Sequence, residues 1–203
     1  MATQYSLTCI NNSRLTGSFA IFQRPPPIVA PGDVYPLAWL AQTSHPQTHV
    51  TFDWTVDYSF MWSETGVLQP GITFFSSQTF AADPMGENLT DLTVDSFKAS
   101  YFTPPTPGGE LGALTIRQLP NVIPGLTACG IGMSGAAAYA VQAAPNITTV
   151  FKPRPNYWVA FGHFKAGQVL DLEEIAGEVE VSYRESVTSH TVTLQPDNLL
   201  VVS

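Results

Sequence analysis

Hydrophobic and polar side chains alternate with a period of two along the stretch that follows His49. Apolar residues occupy one side of an extended backbone, and they are Val50, Phe52, Trp54, Val56 and Tyr58. Polar residues occupy the other side, and they are Thr51, Asp53, Thr55 and Asp57. A period of two over this length predicts a β-strand with one face in a core and the other in water.

Shorter copies of this pattern recur along the chain. They lie at Tyr5, Leu7 and Cys9, at Leu114 and Ile116, at Tyr139 and Val141, at Val179, Val181 and Tyr183, and at Val192 and Leu194. The apolar tail at residues 199–202 predicts a final, more fully buried strand. Turn-forming Pro, Gly, Asn and Asp separate these segments at residues 11–13, 65–66, 70–71, 83–84 and 196–198.

Many short strands divided by turns predict an all-β protein, an antiparallel β-sandwich of the jelly-roll type. Helix signals are weak, and we expect at most one or two short helices, at residues 37–42 and 172–176. Two proline-rich stretches, residues 24–36 and 103–109, are predicted as long loops or edge segments because proline cannot donate a ladder hydrogen bond. A domain boundary at the second stretch would leave each half with few strands, so we predict one domain over residues 1–203.

The segment from residue 118 to residue 151 contains no charged side chain. Its middle part, residues 126–144, approaches the roughly 20 apolar residues that a membrane-spanning helix needs. Glycines and alanines give this part little hydrophobicity, however, and Ser134 and Gln142 interrupt it. We therefore predict two closely packed strands of small residues rather than an integral membrane segment.

The amino-acid composition disfavours two classes of binding partner, nucleic acids and anionic membranes. Apolar residues make up 44% of the chain, enough for a substantial core, whereas charged residues make up only 12% and the net charge is -8. Nucleic acids and anionic membranes attract clustered Lys and Arg, so eight scattered basic residues disfavour both partners. A weakly charged surface repels a second copy little, which favours a homo-oligomer or a larger assembly.

The start of the chain has neither the basic residues nor the apolar segment of a signal peptide, so we expect a cytoplasmic protein. Cys9 and Cys129 lie in apolar, strand-like surroundings, which favours two buried thiols in a reducing compartment. A single disulfide stays open as an alternative, because the spacing of two cysteines does not decide it.

Histidines and a serine offer incomplete catalytic or metal-binding patterns. His45 and His49 are four residues apart, as metal ligands on a helix would be, but Pro46 disfavours a helix between them. A third ligand would have to come from a distant strand. We therefore predict no metal site. Ser134 is followed directly by Gly135, one position too early for the Gly-x-Ser-x-Gly elbow of hydrolases. We predict neither a catalytic residue nor a cofactor.

Carboxylates and tryptophans provide the candidate ligand-binding residues. Asp53 and Asp57 share the outward face of the predicted strand, and Glu64 follows nearby. The favoured interpretation is a solvated strand face. Calcium binding and paired-acid glycoside hydrolysis are the alternatives. Three tryptophans lie beside predicted turns, and they are Trp39, Trp62 and Trp158. An exposed indole there would stack on a sugar or anchor a partner, although burial in the core is favoured for each of the three.

Several tryptophan-rich strings, taken in order, resemble the RhiA-like proteins, named after a rhizosphere-expressed protein of rhizobia that is under quorum-sensing control. The resemblance runs over nearly the whole chain and rests on residues 36–39 (PLAW), 52–58 (FDWTVDY), 62–66 (WSETG), 130–135 (GIGMSG), 157–162 (YWVAFG) and 169–171 (VLD). It implies a bacterial, cytoplasmic protein linked to host or community life, and it brings no catalytic residues with it.

Three functions stay open. The first is a non-enzymatic protein that binds or assembles, favoured by the low charge and by loops that cover sheet edges. The second is a lectin-like carbohydrate-binding module that uses the tryptophans beside Asp53 or Asp57. The third is a membrane-active effector that deploys the uncharged segment at residues 130–144 as a hairpin. An enzyme ranks last.

Overall fold

The computed structural model describes residues 3–25, 32–184 and 186–203, and its regular structure in these ranges consists of strands without a helix. The strands are β1 (Gln4–Asn11), β2 (Gly17–Phe22), β3 (Val34–Pro36), β4 (Leu40–Ser44), β5 (Thr48–Thr55), β6 (Tyr58–Ser63), β7 (Gln78–Ala82), β8 (Leu89–Val94), β9 (Ser100–Phe102), β10 (Leu114–Gln118), β11 (Ala128–Met133), β12 (Ala136–Gln142), β13 (Ile147–Phe151), β14 (Tyr157–Gly162), β15 (Val179–Val181), β16 (Ser189–Leu194) and β17 (Leu200–Val202). The all-β prediction is confirmed.

The strands form four sheets. Sheet I has the order β17-β16-β1-β5, sheet II β15-β14-β2-β4, sheet III β3-β12-β11-β6-β7 and sheet IV β13-β10-β8-β9. Pairing is antiparallel except between β1 and β16 and between β8 and β10, which are parallel. The predominantly antiparallel arrangement is confirmed, and the two parallel pairs are a departure from it that alternation alone does not reveal.

Sheets pack on one another through aromatic side chains. Trp54 of sheet I contacts Tyr157 of sheet II with ring centroids 5.0 Å apart, and Phe60 of sheet III faces Phe102 of sheet IV at 6.3 Å. The largest buried cluster draws residues from all four sheets. This shared core supports the single domain predicted over residues 1–203, which stays a prediction.

The small-residue strands are confirmed as the hairpin β11–β12 at the centre of sheet III. Ser134 and Gly135 close it with φ angles of 52° and 76°, the positive values that a two-residue type I′ turn requires. A Cβ on Gly130 would lie 1.9 Å from the carbonyl oxygen of Tyr139, so only glycine fits there. No helix of the described residues is long and apolar enough to cross a membrane.

The long alternating segment is a strand only as far as Thr55. Val50, Phe52 and Trp54 are buried as predicted, but the chain then turns from sheet I into sheet III, which leaves Val56 37% exposed. Tyr58 starts the next strand, β6. The alternation therefore spans a corner between two sheets rather than one continuous strand.

Three further predictions are wrong in detail. The tail strand β17 pairs on one side with β16, and Val201 is 48% exposed, so it is not more fully buried. Residues 37–42 do not form a helix because residues from Leu40 onward pair with β2. Residues 172–176 contain a turn instead of a helix.

The proline-rich stretches behave as predicted where the structure describes them. Val34–Pro36 lies at the edge of sheet III and, within the described ranges, pairs with β12 alone. Residues 103–109 form a loop with one isolated bridge between Leu89 and Thr106. Residues 26–31, in the middle of the first stretch, lie outside the described residues.

Candidate functional site: a tyrosine cleft

Four strands of sheets I and II bring aromatic residues to the same end of the two sheets. Tyr5 near the start of β1 lies opposite Trp54 near the end of β5. Tyr157 at the start of β14 lies opposite Val181 at the end of β15. The chain continues beyond β15 to Tyr183, and beyond β5 to Tyr58 at the start of β6. The side chains of the four tyrosines, Tyr5, Tyr58, Tyr157 and Tyr183, line an opening that we call the tyrosine cleft.

The tyrosine cleft has a volume of about 620 Å³, within the range of roughly 300–1,000 Å³ that is typical of small-molecule sites. Its apolar lining consists of the rings of four tyrosines and three further side chains, and these residues are Tyr5, Tyr58, Tyr157, Tyr183, Val56, Pro155 and Val181. Its polar lining consists of Thr3, Asn156, Glu180, Ser182 and Arg184. The lining of the cleft therefore combines aromatic rings with both charges, an amide and hydroxyls.

The rings of the cleft pack on Trp54. Its ring centroid lies 5.0 Å from that of Tyr157 and 5.5 Å from that of Tyr183. Tyr183 in turn meets Tyr5 edge-on at 5.2 Å and Tyr157 edge-on at 5.5 Å. Edge-to-face pairs of this kind stabilise one another beyond the area they bury, so the base of the cleft is preformed.

The tyrosine hydroxyls of this region are held in their neutral form. Burial raises the pKa of Tyr58 and that of Tyr157 to about 12, and it raises the pKa of Tyr183 and of the neighbouring Tyr139 further. Mutual repulsion adds to the effect, since ionising Tyr157 would place a charge near Tyr5 and Tyr183. At neutral pH these groups are hydrogen-bond donors and acceptors without charge.

Beneath the cleft, the indole N–H of Trp54 has no hydrogen-bond acceptor among the described residues. Trp54 is only 2% exposed, so an unpaired donor there costs about 1–3 kcal/mol. The other buried indoles are satisfied: Trp39 donates to the Met133 carbonyl oxygen and Trp62 donates to Gln78 Oε1, each at 2.8 Å. Trp54 packs against three of the cleft tyrosines, Tyr5, Tyr157 and Tyr183, whereas Trp39 meets Tyr157 at 6.0 Å between ring centroids.

One wall of the cleft is tied to Arg24. Asn156, which lines the cleft, accepts a hydrogen bond from the Arg24 backbone N–H at 2.9 Å and donates to its carbonyl oxygen at 3.1 Å. The Arg24 guanidinium lies 4.1 Å above the Trp158 ring and forms an ion pair with Glu178. This arrangement fixes Asn156 and covers one face of Trp158.

The candidate tryptophans do not gather at one surface. Trp39 is fully buried and Trp62 is 6% exposed, so the favoured core interpretation is confirmed for both, and neither presents a ring face to a ligand in this structure. Trp158 is half-buried beneath Arg24, beside Tyr157 but outside the cleft lining. Its assignment as a ligand-binding residue stays a prediction.

The candidate carboxylates also lie apart. Asp53 is exposed on β5 opposite Ser6, and Asp57 is exposed after β5, where its carboxylate accepts a hydrogen bond from the Thr55 hydroxyl. Asp57 and Glu64 flank opposite ends of β6. Within residues 3–25, 32–184 and 186–203, no three His, Cys, Asp or Glu side chains stand close enough to hold a metal ion.

Both cysteines are buried, free thiols in different sheets, Cys9 in β1 and Cys129 in β11. The structure thus favours two thiols over the alternative of a disulfide. Burial raises the pKa of each thiol to about 12, which keeps it protonated and unreactive. Ser134 lies in a strand-to-strand hairpin, so it does not occupy a hydrolase elbow.

Sequence reasoning missed the cleft because its tyrosines come from four separate segments. Alternation placed Tyr5 and Tyr183 on inward faces of predicted strands, which was the available signal. That signal does not say which strand ends meet, because the contact between β1, β5, β14 and β15 depends on the pairing of sheets I and II. Trp54 was assigned to the core, and its missing hydrogen-bond partner becomes visible only in the structure.

The fold and the cleft together define an all-β protein with an open aromatic site at the end of two packed sheets. The chain belongs to the RhiA family, whose family model matches residues 2–203. Protein RhiA of Rhizobium leguminosarum bv. viciae is 35% identical over 199 residues, which cover 97% of this chain and 84% of that protein. The resemblance found in the tryptophan-rich strings is thereby confirmed. No solved structure matches this chain.

Proposed function

We propose that this RhiA-family protein works by binding, without catalysis, and that the tyrosine cleft takes up a carbohydrate. The observation that carries the proposal is the set of four tyrosines around one preformed opening of about 620 Å³. Sugars offer apolar C–H faces and a surrounding set of hydroxyls. Aromatic rings with neutral hydroxyl, amide and charged neighbours match both features.

The protonation state of the cleft tyrosines supports a binding function rather than catalysis. Because burial raises the pKa of Tyr58 and Tyr157 to about 12, their hydroxyls keep their protons at neutral pH. A general base has a pKa near the working pH, which these groups do not have. The two thiols are also held protonated inside the core. The cleft is therefore suited to recognition through neutral hydrogen bonds.

A glycan array, followed by calorimetry on each saccharide retained, tests the proposal with and without calcium. Val56→Arg is the matched disruption, because Val56 lines the cleft and is already partly exposed. We expect Val56→Arg to abolish saccharide binding and to leave the fold intact. Val67→Arg is the control, since Val67 is 64% exposed and lies outside the cleft lining. A blank array, or equal binding by both variants, contradicts the proposal.

Self-association is the second candidate function. Met85 and Leu111 are 68% and 71% exposed, and the loops that carry them are joined by a hydrogen bond of 2.9 Å from the Gly112 N–H to the Pro84 carbonyl oxygen. Neighbouring apolar side chains of this exposure favour contact with another protein surface. Analytical ultracentrifugation at high micromolar concentration tests it, with Leu111→Lys expected to reduce any oligomer. A strict monomer contradicts this candidate.

The cellular setting is a further part of the proposal. Two buried, free thiols fit a reducing compartment, which supports a cytoplasmic location. The third hypothesis, a membrane-active hairpin, gains no support, since all six residues of β11 are buried. Deploying residues 130–144 would require sheet III to open at its centre.

A further inference from the structure

Among the described residues that line the tyrosine cleft, Arg184 alone carries a positive charge. The chain has eight Lys and Arg residues, and three of them, Arg24, Arg117 and Lys152, form ion pairs with carboxylates. Within the described part of the chain, no carboxylate lies within ion-pair distance of the Arg184 guanidinium. The cleft therefore holds a cation that is available to a ligand.

The backbone that leads to Arg184 is fastened to sheet I. The Ser182 carbonyl oxygen accepts a hydrogen bond from the His190 ring at 3.1 Å, and the Tyr183 hydroxyl donates to the Ser6 carbonyl oxygen at 2.8 Å. The Tyr183 ring also meets the His190 ring edge-on, with centroids 4.9 Å apart. An anchored backbone thus carries the exposed Arg184 next to the aromatic rings of the cleft.

The cleft lining also contains one negative side chain, that of Glu180. Glu180 accepts a hydrogen bond from the Ser182 hydroxyl at 3.5 Å, and it forms no ion pair with Arg184. Arg184 has no such described partner, so the positive charge is the less satisfied of the two. A carboxylate in the cleft is attracted by Arg184 and repelled by Glu180, whereas sugar hydroxyls can donate to Glu180. The two charges therefore favour an anionic ligand in a single orientation.

We propose that the saccharide taken up by the tyrosine cleft is acidic, a hexuronate whose carboxylate binds the Arg184 guanidinium. The inference rests on the function proposed above and deepens it by naming the class of sugar. A planar guanidinium matches a carboxylate through parallel N–H donors, while the pyranose ring stacks on the tyrosines. Arg184 is the residue that determines specificity. Because it is exposed, the ion pair adds a modest preference for the acidic sugar rather than most of the affinity.

Calorimetry with matched glycosides tests the inference. The probes are the methyl glycoside of glucuronic acid, the methyl ester of that compound and methyl glucoside, with the galacto series beside them. These ligands share one sugar ring and differ in whether it carries a carboxylate, an uncharged ester or a hydroxymethyl group. We expect the unmodified protein to bind the free acid about fivefold more tightly than the ester or the neutral glycoside. Added salt should narrow the difference, because ions screen an exposed charge pair.

Arg184→Gln removes the charge and keeps a polar side chain. We expect it to abolish the preference for the free acid and to leave the binding of neutral glycosides unchanged. Arg14→Gln is the matched control, since Arg14 is exposed, has no ion pair among the described residues and lies outside the cleft lining. It changes the net charge equally and should retain the preference. Arg184→Lys, which keeps the charge without the planar fork, should retain part of it.

The outcomes separate this inference from the proposed function. If glycosides bind but the free acid binds no more tightly than its ester, the acidic class is overturned and the proposed function stands. The same holds if Arg184→Gln keeps the preference, or if Arg14→Gln loses it equally, because Arg184 is then not responsible. If neither acidic nor neutral glycosides bind, the proposed function fails and this inference fails with it. Should Arg184→Gln alter the fold, Arg184→Lys and the comparison of acid with ester in the unmodified protein decide the question.

Discussion

The hairpin β11–β12 and the tyrosine cleft differ in how closely the chain is packed. At the hairpin, backbone approaches backbone so closely that a Cβ on Gly130 would overlap Tyr139, and a Cβ on Gly132 would lie 2.5 Å from the Ala136 carbonyl oxygen. At the cleft, four large rings, one of them from Tyr58 of sheet III, line an open space at the end of sheets I and II. Small residues thus close the centre of sheet III, and large residues hold open the end of sheets I and II.

The two regions also differ in the pairing of a buried indole N–H. Near the hairpin's sheet, the Trp62 N–H has its acceptor on Gln78, and Gln78 Oε1 also accepts the backbone N–H of Phe102 at 2.7 Å. Beneath the cleft, the Trp54 N–H has no acceptor within hydrogen-bond geometry among the residues that the structure describes. The contrast concerns the two indoles only, because the described residues also include buried hydroxyls without a partner around sheet III, at Ser59 and Thr127.

High pH should unfold the protein, because it ionises the buried tyrosines of the cleft. Burial raises the pKa of Tyr58 and Tyr157 from 10.0 to about 12, so the unfolded chain releases these protons first as pH rises. The free energy of unfolding is therefore unaffected by them below pH 10 and decreases between pH 10 and pH 12. We expect absorbance at 295 nm to show late phenolate formation together with loss of the β-sheet circular-dichroism signal. Complete ionisation by pH 10.5 with the fold intact would contradict this.

Gly130→Val should have the next largest effect on stability, because it adds a side chain where the hairpin β11–β12 is most closely packed. The added side chain overlaps the Tyr139 carbonyl, and the backbone of sheet III must shift, so we expect a loss of at least about 3 kcal/mol in the free energy of unfolding. Urea denaturation measures it. Gly135→Asn is the control: its Cβ meets nothing within 4 Å and asparagine tolerates the positive φ, so a small loss is expected.

Gln78→Leu should have an intermediate effect. It removes the acceptor of both Trp62 and the Phe102 backbone, so a loss of about 2 kcal/mol is expected in urea denaturation. Ala81→Ser changes an exposed residue of the same strand and serves as the control. Equal stability of the two variants would show that the Gln78 bonds contribute nothing.

The smallest expected effect is the difference in stability between two tryptophan variants. Trp39→Phe and Trp54→Phe each remove an indole from the core, but Trp39→Phe also breaks a hydrogen bond to Met133, whereas Trp54→Phe removes an unpaired donor. We expect Trp39→Phe to be the less stable variant by about 1 kcal/mol in thermal or urea unfolding. The opposite order would mean that the Trp54 N–H is satisfied in the folded protein.

Local pattern was sufficient to predict much of the fold. Alternation identified β1, β10, β12 and β16, and the glycine-rich uncharged segment identified the hairpin of sheet III. It missed β2, whose six residues are all buried, because a strand covered on both faces shows no alternation. The parallel pairing of β1 with β16 was also out of reach, since nothing local distinguishes it from a distant antiparallel pair.

The site was less accessible than the fold. Tryptophan and aspartate side chains near turns suggested a ligand site, yet Trp39 and Trp62 lie in the core, as the favoured interpretation held. Tyrosines 5 and 183 were recognised as strand residues, but their meeting depends on contacts across almost the full length of the chain. A site assembled from strand ends follows from tertiary packing, and a period of two along one strand does not encode it.

The parallel pair of β1 and β16 has a consequence for synthesis on the ribosome. Ser6 is placed opposite Ser189, so β1 keeps one edge unpaired during synthesis until β16 has emerged. At usual translation rates this wait is on the order of ten seconds or more. An unpaired strand edge is a template for pairing with other chains, so we expect chaperones or rapid translation to raise the yield of folded protein.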